Sequence, residues 1–434
     1  MKRPGAFNVD IQRYARALGI GVVSLLALIP QARADGLTGE IIVLNWQTGT
    51  EHDLLHDLET AFQKSNPSVR FREVNAIGQG DRRGAIRIAL MSGEQADLLV
   101  NTWPAFRAEL ADAGMLRPLD RQWDAGHWGD SIAGKWRQLA QYKGVTYGMP
   151  FTFGDRSGIF YRPDTLAKAG IAASPKTWDD FLASFKKLKA AGITPIAMPA
   201  KVWAHGEWFE SLLVRIGGPD VMSKLAAHQI SWTDPAVKAA ALHYAQMLRS
   251  GCCDPTDRMF ATEWDNAADE TLKNGTHGYE LIGMWANGRM KAFGLAEGKD
   301  YALFQFPALG AGHDDATVID AKEFLELKSG HADAAADAFL GWMSSADAAH
   351  ILAKYGFPST SSKADTSRYG VVLAETARVV ANSKVQFVLG DLLPGDLVDE
   401  YRVQLQRLIQ DPSDANVDKV LAAIEAKAKT AYQR

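Results

Sequence analysis

Indole rings and planar polar groups recur where predicted strands end. Trp46 and Gln47 close the apolar run Glu40–Trp46, and Glu51 stands at the start of the helix expected next. Asn101, Thr102 and Trp103 close a third run, Ala96–Asn101, on the same edge. Further along come Asp155 and Arg156, then Trp203 with His205. An indole face packs against C–H groups, while carboxylate, amide and guanidinium offer planar partners to hydroxyls. That combination suits a ligand with apolar ring faces and many hydroxyls, as a saccharide has. Strand ends and loops are where binding groups usually sit. Trp46 as core filler and Trp103 as plain packing are the alternatives.

Catalytic signatures are weak by comparison. His52 and His56 are spaced i, i+4 and can chelate a metal from one helix face. A zinc hydrolase of the H-E-x-x-H kind needs Glu in the second place, where this chain has Asp53, and no third ligand is evident. A solvated helix face accounts for the pair. No metal, cofactor or catalytic residue is expected.

The chain holds 434 residues with 47 basic and 51 acidic side chains, a net charge of −4. The length allows two domains of ordinary size, and the absence of a basic excess argues against a nucleic-acid partner. Residues 1–34 read as a cleavable signal peptide. Lys2, Arg3, Arg13 and Arg16 supply its charge, Ala17–Pro30 its apolar stretch, and Ala32-Arg33-Ala34 a small-x-small cleavage site. No cysteine follows that site and no paired arginines precede the apolar stretch, which favours Sec export over lipidation or Tat export. A retained anchor is the alternative. Removing this segment of net +4 leaves a mature chain of −8 starting at Asp35. The two cysteines, Cys252 and Cys253, are adjacent and cannot staple distant segments. They are expected to be small residues near a turn, with a vicinal disulfide as the alternative.

The elements that must position these groups read as α/β. Glu40–Trp46, a helix over Glu51–Lys64, Val69–Val74, a helix over Asp81–Met91 and Ala96–Asn101 follow in β-α-β-α-β order, which implies a parallel sheet covered by helices. Gly144–Phe151 is expected to carry the chain into a second lobe that includes Gly158–Tyr161. Asp300–Phe306 is expected as the returning strand, with Val318–Leu327 and the helix Ala332–Met343 rejoining the first lobe. The part from about Ser345 onward is expected to be helical and to pack on the second lobe. Several crossings between two lobes make a hinge, and the cleft between them is a natural ligand site.

One passage carries a family resemblance. Ser174–Pro199, SPKTWDDFLASFKKLKAAGITPIAMP, has Thr177 as helix N-cap with Asp180 three residues on, Trp178, Phe181, Leu182, Phe185 and Leu188 on one stripe, lysines at the C-terminal end, and Gly192 to stop the helix. Together with Val202–Gly218, VWAHGEWFESLLVRIGG, it closely resembles the family 1 extracellular solute-binding proteins of carbohydrate-uptake ABC transporters. The resemblance implies a two-lobed periplasmic-binding-protein fold of the maltose-binding-protein type. It also implies a monomer in the periplasm that takes a mono- or oligosaccharide, or a polyol, in the interlobe cleft. The ligand would be delivered to permease subunits in the inner membrane. The implied lobes are 35–148 with 304–345, and 149–303 with 346–434.

The resemblance also extends to particular residues. Trp46 and Glu51 match the family's W-W-T-x-G-x-E passage, with Gln47 in place of its second tryptophan. Gly78–Arg83 resembles its glycine-rich loop, which brings in Asp81 and Arg83. Trp264 stands in a W-D/N-x-A passage, Trp285 in a G-x-W segment where the family's indole stacks on sugar, and Asp320 in the return segment. Lys354 keeps its spacing to Pro358 although the intervening residues differ. Relatives that bind glucose carry a histidine near the C-terminal region. Between Asn382 and Glu400 this chain has none, and Asp391 is the nearest polar substitute. With Gln47, that departure puts glucose itself in doubt. Two other readings stay open: a secreted hydrolase with Glu51 and Asp320 as its carboxylate pair, and a sugar-sensing module that serves a receptor.

Overall fold

Ile41, Ile42, Val43 and Leu44 are all buried, and their alternation explains the centre of the larger sheet. Ile41 and Val43 enter the core on one face, Ile42 and Leu44 the core on the other. A strand apolar on both faces belongs inside a parallel sheet covered on both sides. In the computed structural model, which describes residues 36–78, 82–331 and 334–433, this strand is β1 (Thr38–Asn45). It pairs in parallel with β2 (Ser68–Asn75) and β3 (Leu98–Asn101). The helix Thr50–Ser65 between β1 and β2 buries Leu54, Leu55, Leu58 and Phe62. Its start follows Gly49, whose φ of 58° few other residues adopt without strain. The expected signal segment lies outside the described residues.

A small hairpin, β4 (Gln141–Tyr142) with β5 (Val145–Thr146), precedes β6 (Gly148–Asp155), which is buried throughout. Beyond it lie β7 (Ile159–Tyr161), β8 (Thr194–Ile196), β9 (His277–Leu281) and β10 (Ala302–Phe304), which form the smaller sheet in the order β10-β7-β9-β8. The chain returns along β11 (Ala316–Glu326), also buried throughout, and β12 (Lys384–Phe387) completes the larger sheet, ordered β12-β11-β3-β1-β2 with β6 alongside β11. The antiparallel pair β6–β11 therefore joins the two sheets and carries the chain both ways between them. Its register shifts between Lys322 and Glu323, at a bulge that accommodates Pro150, which has no N–H to give a regular ladder.

The helix Trp178–Ala190 forms as its residues require. Thr177 Oγ1 caps the Asp180 N–H at 3.2 Å, Trp178, Phe181, Phe185 and Leu188 are buried, and Gly192 at φ 73° lets the chain turn into β8. The long helix Gly206–Ala226 bends at Gly218 (φ 78°), where Pro219 follows. Two expectations of topology are corrected. Asp300–Phe306 is not the returning strand, because its core, β10, pairs antiparallel with β7 at the edge of the smaller sheet; β11 makes the return. The segment after Ser345 does not serve the smaller sheet alone. The helices Gly395–Gln410 and Asp414–Ala431 pack there, but the helix Ala346–Lys354 packs on Thr50–Ser65 and β12 joins the larger sheet.

Cys252 and Cys253 are disulfide-bonded to one another rather than reduced. They follow the helix Pro235–Arg249, where Gly251 turns at φ 70° and the Cys252 carbonyl accepts the Ile196 N–H at 2.8 Å. The expected outcome of thiol titration on the unfolded, unreduced chain is no free thiol, rising to two after reduction, since no other cysteine exists.

Candidate functional site

The β6–β11 ribbon sets the floor of the site. Opposite Asp320 on β11 lies Gly154 on β6, and any Cβ there would come within 2.6 Å of the Asp320 carboxylate. Arg156 follows the end of β6 and donates its N–H to the Val318 carbonyl at 2.8 Å. Its guanidinium is buried. It stacks 4.5 Å from the centroid of Trp285 and 5.4 Å from that of Trp203. It pairs with Glu207, and lies 3.9 Å from Asp320 and 4.0 Å from Asp391. Trp203 and Trp285 meet edge to face at 5.8 Å, and Trp264 also meets Trp285 edge to face at 6.1 Å. Trp285 opens the helix Trp285–Ala292 after β9, and Glu207 lies in the first turn of Gly206–Ala226, so elements beside the smaller sheet supply this wall.

The end of β1 supplies the facing wall. Lys322 on β11 reaches Glu51 at 2.6 Å and stands 4.0 Å from Asp320 and 5.5 Å from the Trp285 ring. Gln47 Nε2 donates to Glu51 at 3.5 Å, and its backbone N–H donates to Asn45 Oδ1 at 3.0 Å. Trp46 donates its indole N–H to the Val100 carbonyl at 2.7 Å and packs 4.7 Å from Trp103. The Arg83 guanidinium lies 5.9 Å over Trp103, and its charge acts on Asp391 together with that of Arg156. The two walls thus converge on the carboxylates of Asp320 and Asp391.

The buried polar atoms here with no hydrogen-bond partner among the described residues include Asp320 Oδ1, Asp391 Oδ2 and Trp285 Nε1, beside Arg156 Nε and the Glu207 carboxylate oxygens. A buried polar group left so costs roughly 1–3 kcal/mol. Two acceptors and a donor at the edge of an indole are what one hydroxyl-bearing ring would satisfy. Burial pushes the Asp391 carboxyl up to about 6 against the pull of Arg156 and Arg83, with Asp320 adding to the rise. Behind it, Glu210 accepts from the N–H groups of Leu389 and Gly390 and from the Tyr401 hydroxyl, which clamps the turn that presents Asp391. Burial, with Asp391 adding, pushes Glu210 up to about 7.

The structure brings together Trp46, Gln47, Glu51, Arg83, Trp103, Arg156, Trp203, Trp264, Trp285 and Asp320. Three expected residues are elsewhere. Asp155 turns into the ribbon, where Oδ1 accepts from Thr317 at 2.7 Å and from the Ser157 N–H at 3.0 Å. Asn101 is fully buried, donating to Glu323 at 2.7 Å beside the Arg107–Glu323 ion pair, so it holds β3 to β11. Lys354 is exposed and pairs with Asp57 at 2.8 Å. Asp81 lies outside the described residues. His205 is buried and its Nε2–H donates to the Arg402 carbonyl at 3.0 Å, with burial pushing it down to about 4, which leaves it a neutral packing residue. Lys322 and Glu207 went unread. A charged residue two positions after Asp320 in an otherwise apolar run shares its strand face, and that was the available signal for Lys322. A separate groove of about 400 Å³, lined by Tyr161, Pro163, Leu166 and Ile171 among others, has no charged side chain and lacks this chemistry.

The family model for bacterial extracellular solute-binding proteins matches residues 50–350. An uncharacterized ABC transporter extracellular-binding protein of Pyrococcus horikoshii is 25% identical over 401 residues, 90% of this chain and 89% of that protein. A probable sugar-binding periplasmic protein of Mesorhizobium japonicum is 24% identical over 276 residues, 62% of this chain and 63% of that protein. Among solved structures, the bacterial solute receptor AcbH, described as exclusively preferring β-D-galactopyranose, superposes with a TM-score of 0.78 at 21% identity, covering 91% of this chain and all of that one. Maltose-bound MalE3 of T. maritima gives 0.73 at 17% identity, covering 90% of this chain and 99% of that one. These likenesses give a two-lobed fold of the maltose-binding-protein type.

Arg156→Ala should cost roughly 3–5 kcal/mol at about pH 7, because it leaves Glu207 buried without its cation and Asp320 and Asp391 with only Lys322 and Arg83 near them. Asp391 already holds its proton more tightly folded than unfolded, so its contribution to stability falls as pH rises through about 6. Without Arg156 that penalty grows, and lowering the pH relieves it by protonation. Urea unfolding of both proteins at about pH 7 and about pH 5 should therefore show a smaller gap at the lower pH. An equal gap would refute the electrostatic account.

Proposed function

The chain belongs to the bacterial extracellular solute-binding proteins, and we propose that it is the periplasmic sugar-binding subunit of an ABC importer. The observation that carries this reading is Trp285. Its ring lies 4.5 Å from the Arg156 guanidinium and meets Trp203 edge to face at 5.8 Å, its N–H is unmatched among the described residues, and two unmatched carboxylate oxygens, of Asp320 and Asp391, belong to the same cluster. The sugar-binding names of the relative from Mesorhizobium and of AcbH support the same ligand class.

The ligand is a neutral mono- or oligosaccharide, or a polyol. The cations Arg83, Arg156 and Lys322 are matched by Glu51, Glu207, Asp320 and Asp391, so no surplus positive charge awaits a phosphate. The C–H face of one sugar ring lies on an indole, and its hydroxyls complete the unmatched carboxylate and N–H groups. One aromatic contact adds roughly 0.5–1.5 kcal/mol beyond burial. A micromolar ligand requires about 8 kcal/mol in all, which several charge-assisted hydrogen bonds supply with two such contacts. A stereoisomer that strands one carboxylate forfeits roughly 1–3 kcal/mol, enough for selection.

The β6–β11 ribbon is the hinge in this reading. The two lobes, one built on each sheet, close on the ligand, and the closed face docks on the permease. Hydrolysis is disfavoured by geometry, because Glu51 is ion-paired with Lys322, which also lies beside Asp320.

A thermal-shift screen of mono- and disaccharides should identify a ligand that raises the melting point. With that ligand, Trp285→Ala should weaken binding tenfold or more by calorimetry while far-ultraviolet dichroism is unchanged. Lys322→Ala should also weaken it, whereas Lys354→Ala should not. Wild-type affinity in Trp285→Ala would refute the site, and release of reducing ends from oligosaccharides would refute simple binding.

A further inference from the structure

A second constellation lies outside the sugar site and is independent of its reading. On the helix Thr50–Ser65, His52, His56 and Glu59 stand at i, i+4 and i+7 and so share one face. That face meets β2, where Glu73 projects. Donor atoms of His56, Glu59 and Glu73 lie within 4.8 Å of one another, and His52 Nε2 is 3.2 Å from Glu73 Oε2. The pair of histidines alone signals nothing; the fold supplies the two carboxylates that the sequence spacing did not show.

The deepest member singles this cluster out. Glu59 is 3% exposed, and its Oε1 has no hydrogen-bond partner among the described residues. The histidines lie at the rim, His52 with 40% of its side chain exposed, which leaves a path from solvent. Behind the donors, Asn45 Nδ2 donates to Glu73 Oε2 at 3.0 Å and orients it, as outer partners of metal ligands do. The other trio of this kind, Asp254, Glu270 and His277, already has Arg258 across both carboxylates.

We propose that His52, His56, Glu59 and Glu73 form a binding site for a divalent transition metal, zinc by preference. Two imidazoles and two carboxylates are borderline ligands that suit tetrahedral zinc better than the all-oxygen shells of calcium or magnesium. Zinc bonds of about 2.0–2.2 Å put the donor atoms about 3.3–3.5 Å apart, close to the His52–Glu73 spacing and within reach of small side-chain rotations for the others. The metal would pin the helix to β2. It would also steady the first wall of the sugar site, because Asn45, which holds Glu73, accepts the Gln47 N–H.

The test uses the tag-free mature chain after chelator dialysis. Calorimetric titration with zinc chloride should give one site per chain and raise the melting point, and magnesium or calcium chloride should do neither. The double variant His52→Ala/His56→Ala, changed at the solvent-facing positions and so expected to fold, should lose about a hundredfold or more in zinc affinity. Cobalt(II) bound to the native chain should give the intense visible bands of a tetrahedral ion, and the double variant should not. Absence of zinc binding, or zinc and cobalt signals that survive in the double variant, would overturn the proposal. Sugar binding measured on the same metal-free chain keeps the two questions apart.

Discussion

One buried guanidinium organises this molecule. Arg156 follows the strand that leaves the larger sheet, and its partners come from three further places: Glu207 from the long helix, Asp320 from the returning strand, and Asp391 from the turn clamped by Glu210. A lone buried cation of this kind would be prohibitive, and so would three buried carboxylates without it. Each makes the others tolerable, and together they bring four separated segments to one point. The indoles of Trp203 and Trp285 close over the charge, where a cation over an aromatic face gains more for being shielded from water. Specific recognition then follows from what the arrangement leaves over. Arg156 stands 3.9 Å from Asp320 Oδ1 and 4.0 Å from Asp391 Oδ2, beyond hydrogen-bond range, so those two oxygens have no hydrogen-bond partner among the described residues.

The division of labour between the walls follows from the elements that build them. The wall beside the smaller sheet is aromatic and cationic, with Trp203, Trp264 and Trp285 set around Arg156. The wall at the end of β1 is polar and hydrogen-bonded within itself, through Gln47, Glu51 and Lys322. Trp46 is less free than its position suggests, since its N–H is committed to the Val100 carbonyl and its ring to Trp103. Gln47, by contrast, offers an amide where a second indole would have offered a face. The wall is accordingly shaped for hydroxyls more than for stacking.

Much of the framework was legible in the residues. The apolar runs that became β1, β2 and β3, the capped helix Trp178–Ala190, and tryptophans at element ends all follow from short-range rules of period, capping and turn chemistry. What escaped notice depends on partners far along the chain. β12 is four residues long, with only Phe387 fully buried, and earns its place by pairing with β11. β10 looked like a return because a strand followed by proline reads alike in either sheet. Asn101 and Asp155 carry the right groups for binding, but Glu323 and Thr317, more than 150 residues away, claim them. Lys322 was hidden for the opposite reason: it lies inside a core strand, where a lysine is intelligible only once Glu51 is seen beside it.

The bulge between Lys322 and Glu323 has a consequence for how such a molecule can change over generations. Asp320 and Lys322 reach the cluster around Arg156 and Trp285, while Glu323 meets Arg107 and Asn101 on the far side. Deleting or adding one residue in this strand would exchange those destinations and disrupt both sides at once. Diversification of ligand preference here must therefore proceed by swapping side chains at constant length.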